Sequence, residues 1–112
     1  MARLGHAMGA RRETFMGLSG LGDLATTCLS QHSRNRWLGE EVGKGKSLRA
    51  ILKGTEMVVE GVDTCKAAVR LAKKYGISMP ITQAVYAILF NRHQPREAVQ
   101  ALMKREPHRE LD

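Results

Sequence analysis

The sequence predicts an all-α domain spanning residues 1–112. Three features point there. Apolar side chains return every three or four positions along most of the chain. Serines and prolines stand where helices begin, and no alternating apolar–polar run is long enough for a strand. A length of 112 residues suits one domain with its own core and is short for a two-domain enzyme.

Taken in order, Leu4, Ala7 and Met8 stand at helical spacing in the first segment. TFMGLSGLGDLATTCL supports a second helix, weakened by Gly17, Gly20 and Gly22. Ser33 reads as the N-cap of RNRWLGEEVG, because its hydroxyl can accept a backbone N–H from the first turn. KGKS reads as a solvated basic loop, and Ser47 as a cap over LRAIL. Met57, Val58 and Val59 suit a short extended piece. The clearest helix is VDTCKAAVRLAKKYG. Val62, Cys65, Val69 and Ala72 make its buried stripe, with Lys66, Arg70, Lys73 and Lys74 largely in solvent. Lys73 and Lys74 complement the negative end of the helix dipole, and Gly76 suits a left-handed cap. Pro80 and Pro95 each fit a first turn, where the missing N–H costs nothing. After Pro80, Ile81, Ala84, Val85, Ile88 and Leu89 share a face. After Pro95, Ala98 and Leu102 point inward with Met103 or Val99. The last residues, PHRELD, are polar and expected to fray.

Composition narrows the function. Apolar residues make up 43% of the chain, too many for a disordered segment. No apolar run approaches the ~20 residues of a membrane span. MARLGHAMGARRE lacks the apolar stretch of a secretion signal, so Cys28 and Cys65 are expected as free thiols in a reducing cytoplasm. Eighteen Lys and Arg against 11 Asp and Glu leave a charge of +7, which suits an anionic partner. Two aromatic types occur twice and tryptophan once, few for a surface that stacks bases, so nucleic acid is the weaker choice. A free-standing basic helical module binding anions or nucleic acid remains the rival reading.

Several motifs fail on inspection. Gly20, Gly22 and Ala25 fit the loose dinucleotide-binding spacing, but no strand precedes them and Asp23 would face the pyrophosphate. Small residues that let two helices approach closely explain the run better. Gly45-Lys46-Ser47 lacks the earlier glycine of a phosphate loop, since that position is Glu40. His6, His32, His93 and His108 are too scattered for zinc.

One constellation survives. Asp23 and Thr27 share a helix face, and a few residues on Ser33 opens a helix that starts Arg34-Asn35. A helix start offers unpaired N–H groups and partial positive charge, and a guanidinium adds a fork of donors that matches phosphate oxygens. Asp23 would repel phosphate but suits a substrate hydroxyl. The same residues also fit a plainly capped helix with solvated arginines, Asp23 as a structural acceptor, and Glu60 as a first-turn acid. From the residues alone, the result is a basic helical domain with a phosphate-compatible start.

GLGDLATTC, SRNR, VVEGVDT, KKYGISMPITQAVYAILF and PREAVQALM, in that order, resemble the C-terminal domain of bacterial NAD(P)-dependent glycerol-3-phosphate dehydrogenases. The resemblance implies interconversion of dihydroxyacetone phosphate and sn-glycerol 3-phosphate for phospholipid synthesis. It implies substrate contacts at Asp23, Ser33, Arg34 and Asn35, with Thr27 in the same pocket. Cofactor contacts, to NAD or NADP, fall on Arg34, Val58 and Glu60. The family's Rossmann domain and catalytic lysine would precede Met1, and the first lysine here is Lys44. The chain by itself is therefore expected to be inactive, to expose the apolar face that domain covers, and to associate as a homodimer.

Overall fold

The structure, a computed structural model, describes residues 1–106; the expected fraying of PHRELD and the position of His108 lie outside the described residues. Every regular element among the described residues is helical. The helices are α1 (Ala2–Ala7), α2 (Arg12–Met16), a π-helical turn (Leu18–Gly22), α3 (Asp23–Leu29), α4 (Arg34–Gly43), α5 (Leu48–Lys53), α6 (Glu60–Tyr75), α7 (Pro80–Phe90) and α8 (Pro95–Met103).

The termini follow local chemistry. The Ser33 hydroxyl accepts the Arg36 N–H at 3.3 Å, and Ser47 does the same for Ala50 at 3.2 Å. Gly76 closes α6 with φ 64° and ψ 31°, a left-handed conformation cheap only for glycine. The Ile77 N–H then donates back to the Ala72 carbonyl at 2.9 Å, which satisfies one of the helix's last acceptors. Pro80 and Pro95 sit at the starts of α7 and α8. The α6 helix begins earlier than its apolar stripe, at Glu60, so Glu60 and Asp63 both complement its positive end. Val59 is extended just before it, as the Met57–Val59 stretch suggested, but belongs to no strand.

Two apolar clusters hold the helices together. Leu38 of α4, Ile51 of α5, Val59 and Val62 form the first, flanked by Trp37, Val42, Leu48, Leu89 and Phe90. Leu4 of α1, Ala72 of α6 and Met79 form the second. Arg3 ties α1 to the turn before α7 by donating to the Ser78 carbonyl at 2.7 Å.

Four expectations need correction. The single helix over residues 14–29 is broken: α2 ends at Met16, the π-helical turn follows, and α3 starts at Asp23. The tightness at Gly20 is local, because a Cβ there would overlap the Phe15 carbonyl five residues earlier, while Gly22 meets only Leu18 and Gly17. The α7 and α8 faces are only partly covered, since Ile81 is 69% exposed and Met103 81%, with Val85 and Val99 also exposed. KGKS is not simply a solvated loop: Lys44 and Lys46 both donate to the Glu41 carboxylate, which is buried. Those hydrogen bonds, Lys46 first and Lys44 next, hold the Glu41 carboxyl below its ordinary range; the same pairing raises Lys44. Lys66, expected in solvent, lies over the Phe90 ring with Nζ 5.0 Å from the centroid.

Candidate functional site

The local signal at Ser33 builds the first wall of a cleft. With Ser33 as cap, the N–H of Arg36 is taken by its hydroxyl, while those of Arg34 and Asn35 have no partner within the helix. Both side chains reach across to the segment entering α6. Arg34 Nη1 donates to the Val58 carbonyl at 3.3 Å, and the Gly61 N–H donates to Asn35 Oδ1 at 3.0 Å. These two bonds bring residues 24 and 26 positions apart in sequence into one edge.

The result is an open cleft of about 290 Å³ lined by Thr27, Ser33, Arg34, Asn35, Val58 and Glu60. Two helix starts, those of α4 and α6, therefore meet at it, each bringing the positive end of a helix dipole. The α6 end already carries a carboxylate in Glu60, whereas the α4 end carries the Arg34 guanidinium and no acid in its first turn. An anion is therefore favoured at the α4 end. A neutral or cationic group is better tolerated near Glu60.

The structure gathers six of the seven residues singled out in the sequence: Thr27, Ser33, Arg34, Asn35, Val58 and Glu60 share the cleft. Asp23 does not line it; it is exposed at the first turn of α3, one turn before Thr27. Arg36, the other base of the triplet, turns back to pair with Glu40 at 3.2 Å. Thr26 bonds the backbone one turn earlier, donating to the Gly22 carbonyl at 3.0 Å, as threonines in helices often do. The residue that sequence reading missed is Gly61. Its only signal was its place directly after Glu60 at a helix start, where glycine is a poor helix former. No cluster of His, Cys, Asp or Glu suited to a metal occurs among the described residues. Cys28 is exposed and Cys65 buried, and neither forms a disulfide.

Fold and cleft together define an all-helical domain whose polar site is assembled on two helix starts. Comparison with known proteins gives its family. Residues 1–100 match the family described as the NAD-dependent glycerol-3-phosphate dehydrogenase C-terminus, and the chain belongs to that family. A glycerol-3-phosphate dehydrogenase [NAD(P)+] of Salinibacter ruber is 54% identical over 103 residues, covering 92% of this chain and 30% of that protein. One from Geobacillus kaustophilus is 53% identical over 112 residues, covering all of this chain and 33% of its own length. In three dimensions, the crystal structure of glycerol-3-phosphate dehydrogenase from Coxiella burnetii superposes with a TM-score of 0.86 at 38% identity, over 92% of this chain and 32% of that one. The chain thus spans about a third of the length of the curated relatives it matches. No helix among the described residues is long and apolar enough to cross a membrane.

Proposed function

We propose that this chain is the substrate-holding, C-terminal portion of an NAD(P)-dependent glycerol-3-phosphate dehydrogenase acting in the cytoplasm. The observation that carries this reading is the meeting of Ser33, Arg34 and Asn35 with Val58 and Glu60 in one cleft. In that reading, the phosphate of sn-glycerol 3-phosphate or dihydroxyacetone phosphate lies at the start of α4. The free N–H groups of Arg34 and Asn35, the guanidinium and the Asn35 amide then share its oxygens. Thr27 and, one turn away, Asp23 face the hydroxyl or carbonyl end, with Asp23 accepting from a hydroxyl rather than touching phosphate.

The donor set also fits one edge of a nicotinamide cofactor. Arg34, the Val58 backbone and Glu60 offer a cation, a carbonyl and a carboxylate side by side, suited to an amide and ribose hydroxyls. They do not form a pyrophosphate cradle, which needs a glycine turn between strand and helix. The cofactor, when bound, supplies or accepts the hydride at the substrate's central carbon. These residues hold the substrate so that this carbon and its oxygen are presented in a fixed direction. Protonating the developing alkoxide requires a positioned acid, and no lysine of this chain lines the cleft.

Two tests bear on the proposal. By calorimetry, sn-glycerol 3-phosphate should bind saturably and glycerol should not, and Arg34→Ala should weaken binding about tenfold or more. Equal heats for glycerol, or no effect of Arg34→Ala, would remove the substrate reading. The 112-residue chain mixed with NADH and dihydroxyacetone phosphate should show no turnover. Turnover would mean that the acid and cofactor cradle are present after all. The rival, a basic nucleic-acid module, predicts gel shifts that survive physiological salt.

A further inference from the structure

Asn35 is the second residue of α4, yet its side chain closes the first turn of α6 by accepting the Gly61 N–H at 3.0 Å. A backbone N–H can only donate. The bond therefore fixes which end of the amide faces α6: the carbonyl oxygen, leaving both Nδ2 protons for another acceptor.

Gly61 is what makes room for this. A Cβ there would stand 2.5 Å from Asn35 Oδ1, 2.8 Å from Cγ and 3.1 Å from Nδ2. These atoms end a rotatable side chain, so a methyl group would push the amide aside and leave the two helices where they are. On helix propensity alone, position 61 would favour alanine. The residue is thus poor for the helix and necessary for the amide. The neighbouring Val58 carbonyl receives Arg34 at 3.3 Å, so the short segment entering α6 holds both α4 side chains that face the cleft.

We propose that Gly61 is a positioning residue: by lacking a side chain it lets the α6 start turn the Asn35 oxygen inward and the Asn35 NH2 toward a phosphate monoester in the cleft. This rests on reading the cleft as the phosphate site. It adds that the α6 entry segment, remote in sequence from SRNR, sets the donor geometry.

The test uses the whole chain with Gly61→Ala, Asn35→Ala, Asn35→Asp and the Gly61→Ala/Asn35→Ala pair. Without ligand, hydrogen exchange by NMR reads the latch. The amide of residue 61 should be protected in the wild type and in Asn35→Asp, which keeps an acceptor. In Asn35→Ala it should exchange about tenfold faster, with the interior of α6 unchanged. Equal exchange in wild type and Asn35→Ala would overturn the latch.

With sn-glycerol 3-phosphate as probe, Gly61→Ala should weaken binding about tenfold in the wild-type background and less than twofold on top of Asn35→Ala. Asn35→Asp should bind at least as poorly as Asn35→Ala, because it keeps the cap but loses the donor. Thermal melts of Gly61→Ala no lower than wild type show that the loss is not unfolding. Equal weakening by Gly61→Ala in both backgrounds overturns the positioning role while the phosphate reading stands. A wild type that is protected at residue 61 but binds no glycerol phosphate removes that reading and the donor role together.

Discussion

Residues 34–75 and residues 12–29 are both helical, but they are held by different means. In the first stretch, side chains cap α4 and α5, glycine caps α6, and Leu38, Ile51, Val59 and Val62 are shut away from solvent. In the second, α2, the π-helical turn and α3 bury no residue; Leu18 is 91% exposed and Leu29 81%. A helix of seven residues such as α3 has little stability of its own in water, and among the described residues none of its side chains is buried. The contrast separates the site into a half joined to the main cluster, Ser33 to Asn35 with Val58 to Glu60, and an arm that contributes Thr27. Leu18, Leu21, Leu24 and Leu29 leave the arm an exposed apolar face.

The sharpest way to break this contrast is to truncate one apolar residue in each region. Leu38→Ala should lower unfolding free energy by about 2–4 kcal/mol, since it opens a cavity in the main cluster. Leu29→Ala should change it by less than about 0.5 kcal/mol. Urea titrations followed by circular dichroism check both, and similar losses would mean that the arm is as well packed as the core.

Ser33→Ala sharpens the comparison inside the half joined to the main cluster. Loss of its bond to the Arg36 N–H should cost about 1 kcal/mol and also loosen the anion end of the cleft. Stability falling with no change in glycerol phosphate binding would make Ser33 a cap and nothing more.

The smallest effect is a pH dependence at the far end of α4. Because Lys46 and Lys44 hold the Glu41 carboxyl below its ordinary 4.5, the unfolded chain binds more protons than the folded one in that window. The contribution is present above 4.5 and lost as pH falls through the lowered value. For Lys44, raised above 10.5, it is present below that pH and lost as pH rises through the raised value. Urea midpoints measured from neutral to acid pH should therefore fall less steeply in Glu41→Gln than in wild type. Parallel curves would show that the exposed lysines are too well screened to matter.

How much of this was legible in the sequence depended on distance along the chain. Ser33, Ser47 and Gly76 mark helix ends through bonds to residues within a turn, and Pro80 and Pro95 through a fixed φ and a missing N–H, so their pattern is contiguous and readable. For the same reason Ser33, Arg34 and Asn35 could be read as a phosphate-compatible start. Val58 and Glu60 could not be placed beside them by spacing, because their meeting depends on α4 packing against α6; only family resemblance suggested a role. Asp23 was legible only through Thr27: the four-residue spacing does fall within α3, and it carries Thr27 to the cleft with Asp23 one turn behind. Ile81 and Met103 looked inward because periodicity finds an apolar face without saying whether this chain covers it.

The central claim is that the start of α4 receives the phosphate ester while the α6 entry segment holds the Arg34 and Asn35 side chains for it, and residue-resolved NMR during titration with sn-glycerol 3-phosphate tests that most directly. The expected result is saturable shifts confined to the backbone amides of residues 33–36 and 58–61, those of Asp23 to Thr27 and the Arg34 side chain, lost in Arg34→Ala. Shifts spread instead over Lys44, Lys46, Lys73 and Lys74, or unchanged by Arg34→Ala, would contradict it.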